Sequence, residues 1–369
     1  MGALDGLLVA TFEQAVAAPL CTLRLADGGA RVIKIERAEG DPARHYDDAV
    51  AGTSAYFAWL NRGKESVVLD VKTGADRATL DNILARADIF VQNFAPGAAA
   101  RLGLDAKALI AKYPRLIAVD IAGYGSDTTY ADMRAYDMLV QAESGICAVT
   151  GTPDTPVKVG VSIADIGTGM NAHAAILEAL LERAQTGRGK AIEMAMFDSM
   201  AEWMTVPLLH YMQAGKVTPR VGLSHAVIQP YSLYDCADGQ VVIAIQNQAE
   251  WRRFCDGVLE KPALADDVRF VTNPLRLKNR AALDVEIFAV LGKLNRDAAV
   301  ARLERATVAW GRVSTVQDVA QHPGLRLVTV DVPGGTFQCM APPLQPNLPR
   351  RSVPALGQHS AAIRAEFAG

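Results

Sequence analysis

The chain has 369 residues, half of them apolar, which is enough to fill one large core and a second, smaller one. A net charge of −3 without a long basic run argues against nucleic acid or an anionic membrane surface as the main partner. Five cysteines are scattered without CxxC pairs, so we expect reduced thiols, a cytoplasmic location and no zinc or other metal site. We find no signal-peptide pattern and no apolar run of membrane-spanning length, so no membrane partner is expected.

The first third of the chain alternates short apolar strands with helical stretches. Such a βαβ alternation predicts a parallel sheet covered by helices. The predicted strands are residues 7–10, 31–36, 66–71, 88–93 and 115–121, and the predicted helices are residues 15–27, 74–87 and 105–112. No GxGxxG follows the first strand and no GxxxxGK[ST] occurs, so we expect neither a nicotinamide or flavin cofactor nor a P-loop.

The predicted fold class is α/β, with a second, smaller domain. A large Rossmann-like domain is predicted for residues 1–191. A helical linker, starting with a long helix at Ile192, covers residues 192–224, and a small α+β domain covers residues 225–325. Residues 326–369 are predicted to form a Pro-rich return segment and a C-terminal helix that packs on the large domain.

Asp165 is the strongest candidate for a reactive group. The stretch YDMLVQAESGICAVTGTPDTPVKVGVSIADIGTGM, residues 136–170, delivers this carboxylate from a glycine-bounded turn into the start of a long helix. Apolar residues then recur at helical spacing until a stop at Gly187 and Gly189. Free N–H groups and the helix dipole at such a position stabilise a carboxylate and negative charge beside it. A plain N-cap role for Asp165 is the alternative that the spacing leaves open.

Four collinear segments of the first two hundred residues carry a family resemblance. They are APLCTLRLADGGARVIKIERAEGDPAR (18–44), NRGKESVVLDVK (61–72), VQNFAPGAAARLGL (91–104) and PRLIAVDIAGYG (114–125). Together they resemble the class III CoA-transferases, which include formyl-CoA and carnitine CoA-transferases and the related 2-methylacyl-CoA racemases. The resemblance implies a CoA thioester as substrate, no tightly bound cofactor, and a ring-shaped chain in an interlocked homodimer. It also implies that Asp165 is the catalytic nucleophile.

Tyr136 distinguishes a transferase from a racemase. Racemases of this family carry a His in a GHD-like triplet, whereas this chain reads AYD, with Tyr136 at that position. A phenol with a reference pKa of about 10 is a poor partner for moving an α-proton at neutral pH. We therefore expect a transferase in which Tyr136 forms a hydrogen bond beside the acyl group. A 2-methylacyl-CoA racemase or epimerase and a non-catalytic CoA-binding protein are the alternatives.

The predicted chemistry is acyl transfer through the carboxylate of Asp165. Its attack on a thioester gives a mixed anhydride, and the returning thiolate leaves an aspartyl-CoA thioester. The tetrahedral oxyanions on this path need hydrogen-bond donors. Backbone N–H groups from Gly167 to Gly169 are candidates, although these glycines equally suit close backbone packing.

The resemblance assigns five residues to CoA binding. Arg37 follows a buried-looking strand in VIKIER and is expected at the adenine, a task that suits a planar guanidinium. Asn93, Phe94 and Arg101, in NFAPGAAAR, match a segment that lines the CoA site, and Arg134 corresponds to a basic residue near the phosphates. Any one of these cations taken alone fits an ordinary solvated surface charge.

Two departures from the family bear on acyl specificity. Val16 stands where formyl-CoA transferases carry a Gln, and AIQNQAEW (244–251) replaces their run of glycines. Formyl or oxalate specificity is therefore not expected. Other segments resemble the branch that acts on mesaconyl-, citramalyl-, itaconyl- or succinyl-CoA, including intramolecular C1–C4 transferases. The residues expected to bind the acyl group, besides Tyr136, are Glu13, Gln14 and His225.

Overall fold

The computed structural model describes residues 2–345 and 347–368. They fall into two compact units. The first unit takes in the described residues of 1–147, 158–209 and 326–369, and the second takes in residues 148–157 and 210–325. The large unit is therefore built from three separate stretches of chain.

A six-stranded parallel sheet forms the centre of the first unit. Its strands are β1 (Leu8–Phe12), β2 (Arg31–Glu36), β3 (Lys64–Val68), β4 (Ile89–Gln92), β5 (Ile117–Ala122) and β6 (Ala191–Ala195). Their spatial order is β3-β2-β1-β4-β5-β6, so the chain reverses direction across the sheet between β1 and β4. In sheets of this kind ligands bind at the carboxyl ends of the strands beside that switch point. The Rossmann-like α/β prediction is confirmed.

Helices cover both faces of this sheet. The helices that begin in the first unit are α1 (Ala17–Asp27), α2 (Ala55–Leu60), α3 (Gly74–Arg86), α4 (Ala98–Leu102), α5 (Ala106–Lys112), α6 (Asp137–Glu143), α7 (Ile146–Val149), α8 (Ile163–Thr186), α9 (Met196–Trp203) and α10 (Thr205–Ala214), with a 3-10 turn at Pro42–His45. Helices α1 and α8 pack on one face, and α3 and α5 pack on the other. Successive strand residues such as Val9 and Ala10 point into the two opposite cores, as parallel strands buried on both sides require.

The predicted helical segment from Ile192 was wrong at its start. Residues Ala191–Ala195 form β6, which pairs in parallel with β5, and the helix begins only at Met196. A short apolar run fits a buried strand and a helix equally well, and its spacing does not decide between them. The partner strand β5, about seventy residues earlier in the chain, decides it.

The end of the chain adds a small sheet and a helix to the first unit. Strands β10 (Leu327–Val332), β11 (Gly335–Met340) and β12 (Arg351–Ser352) pair in the order β11-β10-β12. Helix α16 (Ser360–Glu366) then buries Ile363 in the core shared by α3 and α5. The Ser360 hydroxyl accepts a hydrogen bond from the N–H of Val68, 3.0 Å away, at the outer edge of the main sheet.

The second unit contains an antiparallel sheet flanked by helices. Its elements are β7 (Tyr231–Cys236), β8 (Gly239–Ala244), α11 (Gln248–Arg253), a π-helical turn (Phe254–Val258), a 3-10 turn (Pro262–Ala265), α12 (Asn273–Lys278), α13 (Arg280–Leu291), α14 (Arg296–Arg305), β9 (Ala309–Gly311) and α15 (Val316–Ala320). Trp251, Phe254 and Phe270 fill its core. In neither unit does a helix of the described chain have the length and apolar character needed to cross a membrane.

Candidate active site

Asp165 lies in the first turn of α8, as predicted, but it is not the cap of that helix. Ser162 occupies the N-cap position and makes no capping hydrogen bond with its side chain. The carboxylate of Asp137 caps the helix instead, because its Oδ1 accepts hydrogen bonds from the N–H groups of Ala164, at 2.8 Å, and Asp165, at 3.3 Å. The carboxylate of Asp165 accepts no hydrogen bond from any residue that the structure describes. It is left available for chemistry.

Two features of its surroundings raise the pKa of Asp165 to about 7. Burial is the larger cause, since a poorly hydrated carboxylate resists ionisation, and the negative charge of Asp137 is the second. The N-terminal end of a helix works in the opposite direction by favouring negative charge. A carboxylate with few solvent contacts and a raised pKa is a stronger nucleophile than one that is fully hydrated.

A cavity of about 710 Å³ opens directly onto Asp165. Gln14, Arg134 and Tyr136 line the same cavity, together with Asn93 and Phe94. Tyr136 is 68 % exposed, so its ring stands in this space and is not packed in the core. The structure thus brings together residues that lie up to 151 positions apart in the sequence (165 − 14). We call this space the Asp165 cavity.

A second cavity, of about 610 Å³, lies at the carboxyl ends of the strands next to the switch point. Arg37 lines it directly after β2, and we call it the Arg37 cleft. The Arg37 cleft adjoins the Asp165 cavity because Gln14, Asn93 and Phe94 line both spaces. The two spaces together offer an extended binding site with a carboxylate in one part and a cation in the other.

Lys72 is a second cation of the Arg37 cleft that sequence reasoning missed. It lies in the loop after β3, whereas Arg37 comes directly after β2, and these two strands are neighbours in the sheet. Parallel strands bring their carboxyl ends to the same edge, so a cation after each strand was a signal that could have been used. Arg37 and Lys72 can each bind an anionic group, although the acidic residues Glu39 and Asp70 are also exposed in the lining of this cleft.

Asn93 and Phe94 shape the junction between the two cavities. The Asn93 side chain holds the backbone of Gln14 on both sides: its Oδ1 accepts from the Gln14 N–H at 3.0 Å, and its Nδ2 donates to the Gln14 carbonyl at 2.9 Å. The Phe94 ring packs against Phe12 with 5.2 Å between the ring centroids. Asn93 therefore has its amide occupied within the protein, and its position in the site comes from fixing Gln14.

Arg101 does not line either cavity, in contrast to the prediction for it. It is exposed in the last turn of α4, and its guanidinium lies close against Gly97 at the start of that short helix. Arg134, by contrast, is exposed within the Asp165 cavity. The sequence spacing alone could not show that Arg134 lines the cavity and Arg101 does not. This difference depends on the orientation of the loop that carries Arg134 and of the short helix α4 that carries Arg101.

Glu13 is not placed to bind an acyl group, so this prediction was wrong. Its side chain is fully buried, and its Oε1 accepts a hydrogen bond from Lys64 Nζ at 2.6 Å. Burial opposes ionisation of Glu13, but the Lys64 and Lys34 ammonium groups outweigh it and keep the pKa of this carboxyl below its usual range. Glu13 lines the Arg37 cleft, but its carboxylate is buried within the protein, and only its neighbour Gln14 lines the Asp165 cavity.

Gly167 and Gly169 are buried inside α8, where an oxyanion role does not fit. Beyond the first turn of a helix the N–H groups bond to carbonyls four residues earlier and are not free. A Cβ on Gly169 would lie 2.5 Å from the carbonyl oxygen of Ala17, and one on Gly167 would lie 3.0 Å from the Trp203 ring. The packing alternative explains both glycines.

Backbone N–H groups without a hydrogen-bond partner in the described chain occur instead at the start of α1. Its N-cap residue, Val16, makes no side-chain capping bond. Within the described chain the N–H groups of Val16, Ala17 and Ala18 have no hydrogen-bond partner, and Ala17 lines the Asp165 cavity. An uncapped helix start beside a reactive carboxylate favours negative charge in the space between them.

His225 belongs to the second unit. Its ring stacks on Tyr231, with 5.3 Å between the ring centroids, and its Nδ1 accepts a hydrogen bond from the N–H of Val227 at 3.1 Å. The backbone carbonyl of His225 also accepts a hydrogen bond from Arg280 at 2.8 Å. These contacts give the histidine a defined place in its own unit, and its contact with an acyl group stays a prediction.

Comparisons with known proteins identify the family of this chain. The model of the family described as CoA-transferase family III matches residues 4–360. The chain belongs to CoA-transferase family III. The family resemblance read from the segments of the first two hundred residues is thereby confirmed, and the chain is an enzyme of this family.

Three family III relatives show the range of acids named for such enzymes. The succinate–glutarate CoA-transferase of Agrobacterium fabrum is 33% identical, with 99% of this chain and 95% of the relative covered. The acetyl-CoA:oxalate CoA-transferase of Acetobacter aceti is 35% identical over 100% of this chain and 96% of its own. The succinyl-CoA:mesaconate CoA-transferase of Haloarcula hispanica is 34% identical over 92% of this chain and 88% of its own.

A solved structure has the same fold. It is a CaiB/BaiF family protein from Brucella suis, with a TM-score of 0.82 at 35% sequence identity and 99% of both chains covered. In the residues 2–345 and 347–368 of the present chain, no group of three or more His, Cys, Asp or Glu side chains is arranged to hold a metal ion.

Proposed function

We propose that this family III enzyme moves CoA between short dicarboxylic acids, with Asp165 as the nucleophile. The observation that carries the proposal is the carboxylate of Asp165, which is unpartnered within the described chain, has a pKa of about 7 and faces a cavity that adjoins the Arg37 cleft. A purely structural carboxylate at a helix start would use its oxygens to cap backbone N–H groups. Asp137 does that here, and Asp165 does not.

The Arg37 cleft is the proposed site of the nucleotide end of CoA. Arg37 and Lys72 supply positive charge for phosphates or a flat cation for the adenine, and the cleft lies where open α/β sheets bind nucleotides. The pantetheine arm would then pass Gln14 and Phe94 at the junction and present the thioester to Asp165. Arg134, exposed in the Asp165 cavity, is proposed to meet a negative group of the bound substrates.

The proposed reaction proceeds through two covalent states of Asp165. The ionised carboxylate attacks the acyl carbon of the donor thioester and expels CoA thiolate, which leaves a mixed anhydride. The thiolate then attacks the Asp165 carbonyl carbon, releases the donor acid as a carboxylate and forms an aspartyl-CoA thioester. An acceptor carboxylate reverses both steps, so acceptor-CoA leaves and the Asp165 carboxylate is restored. Charge and atoms balance without a cofactor.

The start of α1 is the proposed oxyanion site for these steps. Each attack places negative charge on a carbonyl oxygen, and preorganised N–H donors lower the barrier for that change. Of the residues with free N–H groups at this helix start, Ala17 lines the Asp165 cavity, and we propose that such an oxygen forms beside it. These N–H groups replace the donors expected from Gly167 and Gly169.

Tyr136 supports transfer over racemisation. A racemase must hand a proton to and from C2, which requires a second group that titrates near neutral pH. The Asp165 cavity has no histidine in its lining as far as the chain is described, and Tyr136 stands where an imidazole would be needed. The Tyr136 hydroxyl is proposed to hold the acyl group by a hydrogen bond.

The acyl group is proposed to belong to a short dicarboxylic acid. The relatives named above act, by their names, on succinate, glutarate, mesaconate and oxalate. Succinyl-CoA is therefore the first donor to test, and intramolecular transfer of mesaconyl type remains part of the proposal. The oxalate enzyme is as similar as the others, so oxalate belongs among the acceptors even though Val16 replaces the glutamine of formyl-CoA transferases.

We also propose a cytoplasmic, interlocked homodimer that keeps no tightly bound cofactor. These statements rest on the family resemblance. The location is further supported by five cysteines that are all free thiols.

A crossed screen tests the proposed function. Succinyl-CoA and acetyl-CoA serve as donors, and mesaconate, citramalate, itaconate, glutarate and oxalate serve as acceptors, with new thioesters detected by mass. Asp165→Asn should form none of the products that the native enzyme forms. The matched control is Asp198→Asn, which changes a first-turn carboxylate of α9 that lines neither cavity, and it should keep activity. A native enzyme without transfer for any pair, or an active Asp165→Asn enzyme, would refute the proposal.

A further inference from the structure

Four ionised side chains lie buried behind the turn that joins β1 to α1. Glu13, Lys34, Asp41 and Lys64 all have fully buried side chains, and we call them the buried ion cluster. Lys34 Nζ donates to Asp41 Oδ2 at 2.7 Å and lies 3.5 Å from Glu13 Oε1. Lys64 Nζ donates to the same Glu13 oxygen at 2.6 Å. Two positive and two negative charges balance each other.

Such a cluster adds little net stability to a core, because the cost of removing the ions from water offsets their attraction. Each ion loses its hydration, and buried ion pairs replaced by apolar residues of similar volume often leave a protein equally or more stable. Hydrophobic packing could fill the same space, so the value of the buried ion cluster lies in the geometry that it imposes. The backbone atoms that it holds show what that geometry serves.

The buried ion cluster forms two hydrogen bonds to the backbone that joins β1 to the first turn of α1. Asp41 Oδ1 accepts a hydrogen bond from the N–H of Ala15 at 3.2 Å. Lys64 Nζ donates to the carbonyl of Pro19, in the first turn of α1, at 3.0 Å. The Asn93 amide also holds Gln14. Side chains from other parts of the chain thus hold the backbone between the end of β1 and the first turn of α1.

The backbone conformation of Ala15 gives a reason for these contacts. Its φ angle is +61°, in the left-handed region that a residue with a Cβ enters only at a steric cost. Relaxation of Ala15 to an ordinary φ would redirect the chain that follows. Val16, Ala17 and Ala18, whose free N–H groups begin α1 beside the Asp165 cavity, come next in that chain.

We propose that Asp41, anchored by Lys34, is a positioning residue that holds the strained Ala15 turn, and with it the start of α1, in register with Asp165. The inference rests on the proposed function, because it gives the start of α1 a task in the transfer reaction. Asp41 also lines the Arg37 cleft, but its side chain is fully buried, so it touches no reacting atom. It acts through the hydrogen bond from the Ala15 N–H to its carboxylate and through the ion pair that fixes that carboxylate.

Asp41→Asn tests the proposal, with Asp27→Asn as the matched control. The asparagine keeps an acceptor of the same shape but loses the charge that binds Lys34. Asp27 lies at the opposite end of α1 in another buried ion pair, 2.5 Å from Arg62, and it lines neither cavity. Both variants remove a carboxylate partner from a buried cation, Lys34 or Arg62, so general destabilisation affects both.

Hydrogen exchange measured by mass spectrometry reports the position of the turn without reference to activity. In Asp41→Asn the amide of Ala15 should exchange about tenfold faster than in the native protein, as expected for loss of one hydrogen bond. In Asp27→Asn its exchange should stay within about twofold of native. Unchanged exchange at Ala15 in Asp41→Asn would overturn the proposal even if the enzyme had no transferase activity.

Kinetics with a competent donor and acceptor test the consequence for catalysis. Asp41→Asn should lower kcat at least about tenfold with KM for the CoA ester within about twofold, because misplaced donors weaken transition-state binding selectively. Asp27→Asn should leave kcat within about twofold at temperatures where circular dichroism shows a folded protein. Equal kcat losses in both variants would reduce Asp41 to a structural role.

Ala15→Gly supplies the final check. Glycine enters the left-handed region without steric cost, so a turn that carries this substitution depends less on Asp41. In the Asp41→Asn background, Ala15→Gly should therefore restore a measurable part of kcat, whereas additive losses would contradict the proposal. Asp165→Asn separates the two hypotheses, since its full activity would refute the proposed function and leave the exchange result at Ala15 to judge the positioning role.

Discussion

The carboxylate of Asp137 accepts a hydrogen bond from the N–H of Asp165, the residue that we propose as the nucleophile. One carboxylate thus caps α8, and the other keeps its own oxygens free within the described chain. The same closeness of two negative groups contributes to the raised pKa of Asp165, after the larger effect of burial. The position of Asp137 therefore affects both the capping of α8 and, in part, the pKa of the proposed nucleophile.

Replacement of Asp165 by asparagine should abolish transfer. Asparagine has nearly the same shape but no attacking oxygen, so the rate should fall by at least about three orders of magnitude. With an acyl-CoA donor and no acceptor, the native enzyme should accumulate an adduct on the peptide that contains Asp165. Mass mapping after hydroxylamine or borohydride trapping measures it. Absence of any adduct on that peptide in an active enzyme would count against covalent catalysis by Asp165.

The rate should depend on pH through the ionisation of Asp165. Only the ionised carboxylate attacks, and its pKa is about 7, so kcat/KM of the free enzyme should rise as the pH increases through this value. Asp137→Asn keeps the capping oxygen and removes one of the two causes of the raised pKa. The rising limb of the profile should therefore move to lower pH. An Asp198→Asn enzyme should keep the native profile, and a native profile in Asp137→Asn would contradict the assignment.

Asp165→Asn should stabilise the fold at high pH. The pKa of Asp165 is raised in the folded protein from an ordinary 3.8 to about 7, so the folded state binds its proton more tightly than the unfolded state. The stability linked to this group is complete below about pH 4 and is lost as the pH rises through 7. Removal of the charge should thus raise Tm by at least about 2 °C at pH 8 and by less at pH 5. An equal change at both pH values would show that the carboxylate is not strained by its surroundings.

Arg37→Ala and Lys72→Ala should weaken binding of the CoA ester without slowing the bound substrate. Both residues line the Arg37 cleft and not the Asp165 cavity. Loss of a stacked or phosphate-bound cation should raise KM about three- to thirtyfold at nearly constant kcat. Arg101→Ala, which removes a cation outside both cavities, should change KM by less than either. A collapse of kcat at constant KM would contradict the placement of the nucleotide.

The subunits of the proposed dimer should not separate on dilution. Threaded chains must partly unfold before they part, so exchange is governed by the rate of unfolding and not by concentration. Sedimentation at nanomolar concentration should show a single dimeric species, and mixing of differently tagged dimers should give no hybrids within hours. A folded monomer under these conditions would exclude the interlocked arrangement.

Local sequence determined the elements that carry the site. The strands β1, β4 and β5 are largely apolar, as strands buried on both faces require, and the period of α8 placed Asp165 in its first turn. Arg37 could be placed after a strand for the same reason. These features depend on neighbours within one helical turn or one strand, so the sequence shows them directly.

Tertiary structure decided which polar groups are free and which are occupied. Glu13 meets Lys34 and Lys64 from two other strands, Asp137 reaches a helix that starts 26 residues later (163 − 137), and Gly169 packs against the backbone of Ala17. None of these partners lies within a local period of the residue that it binds. The hydration lost by a buried carboxylate depends on which distant side chains surround it, and only the folded chain brings them together.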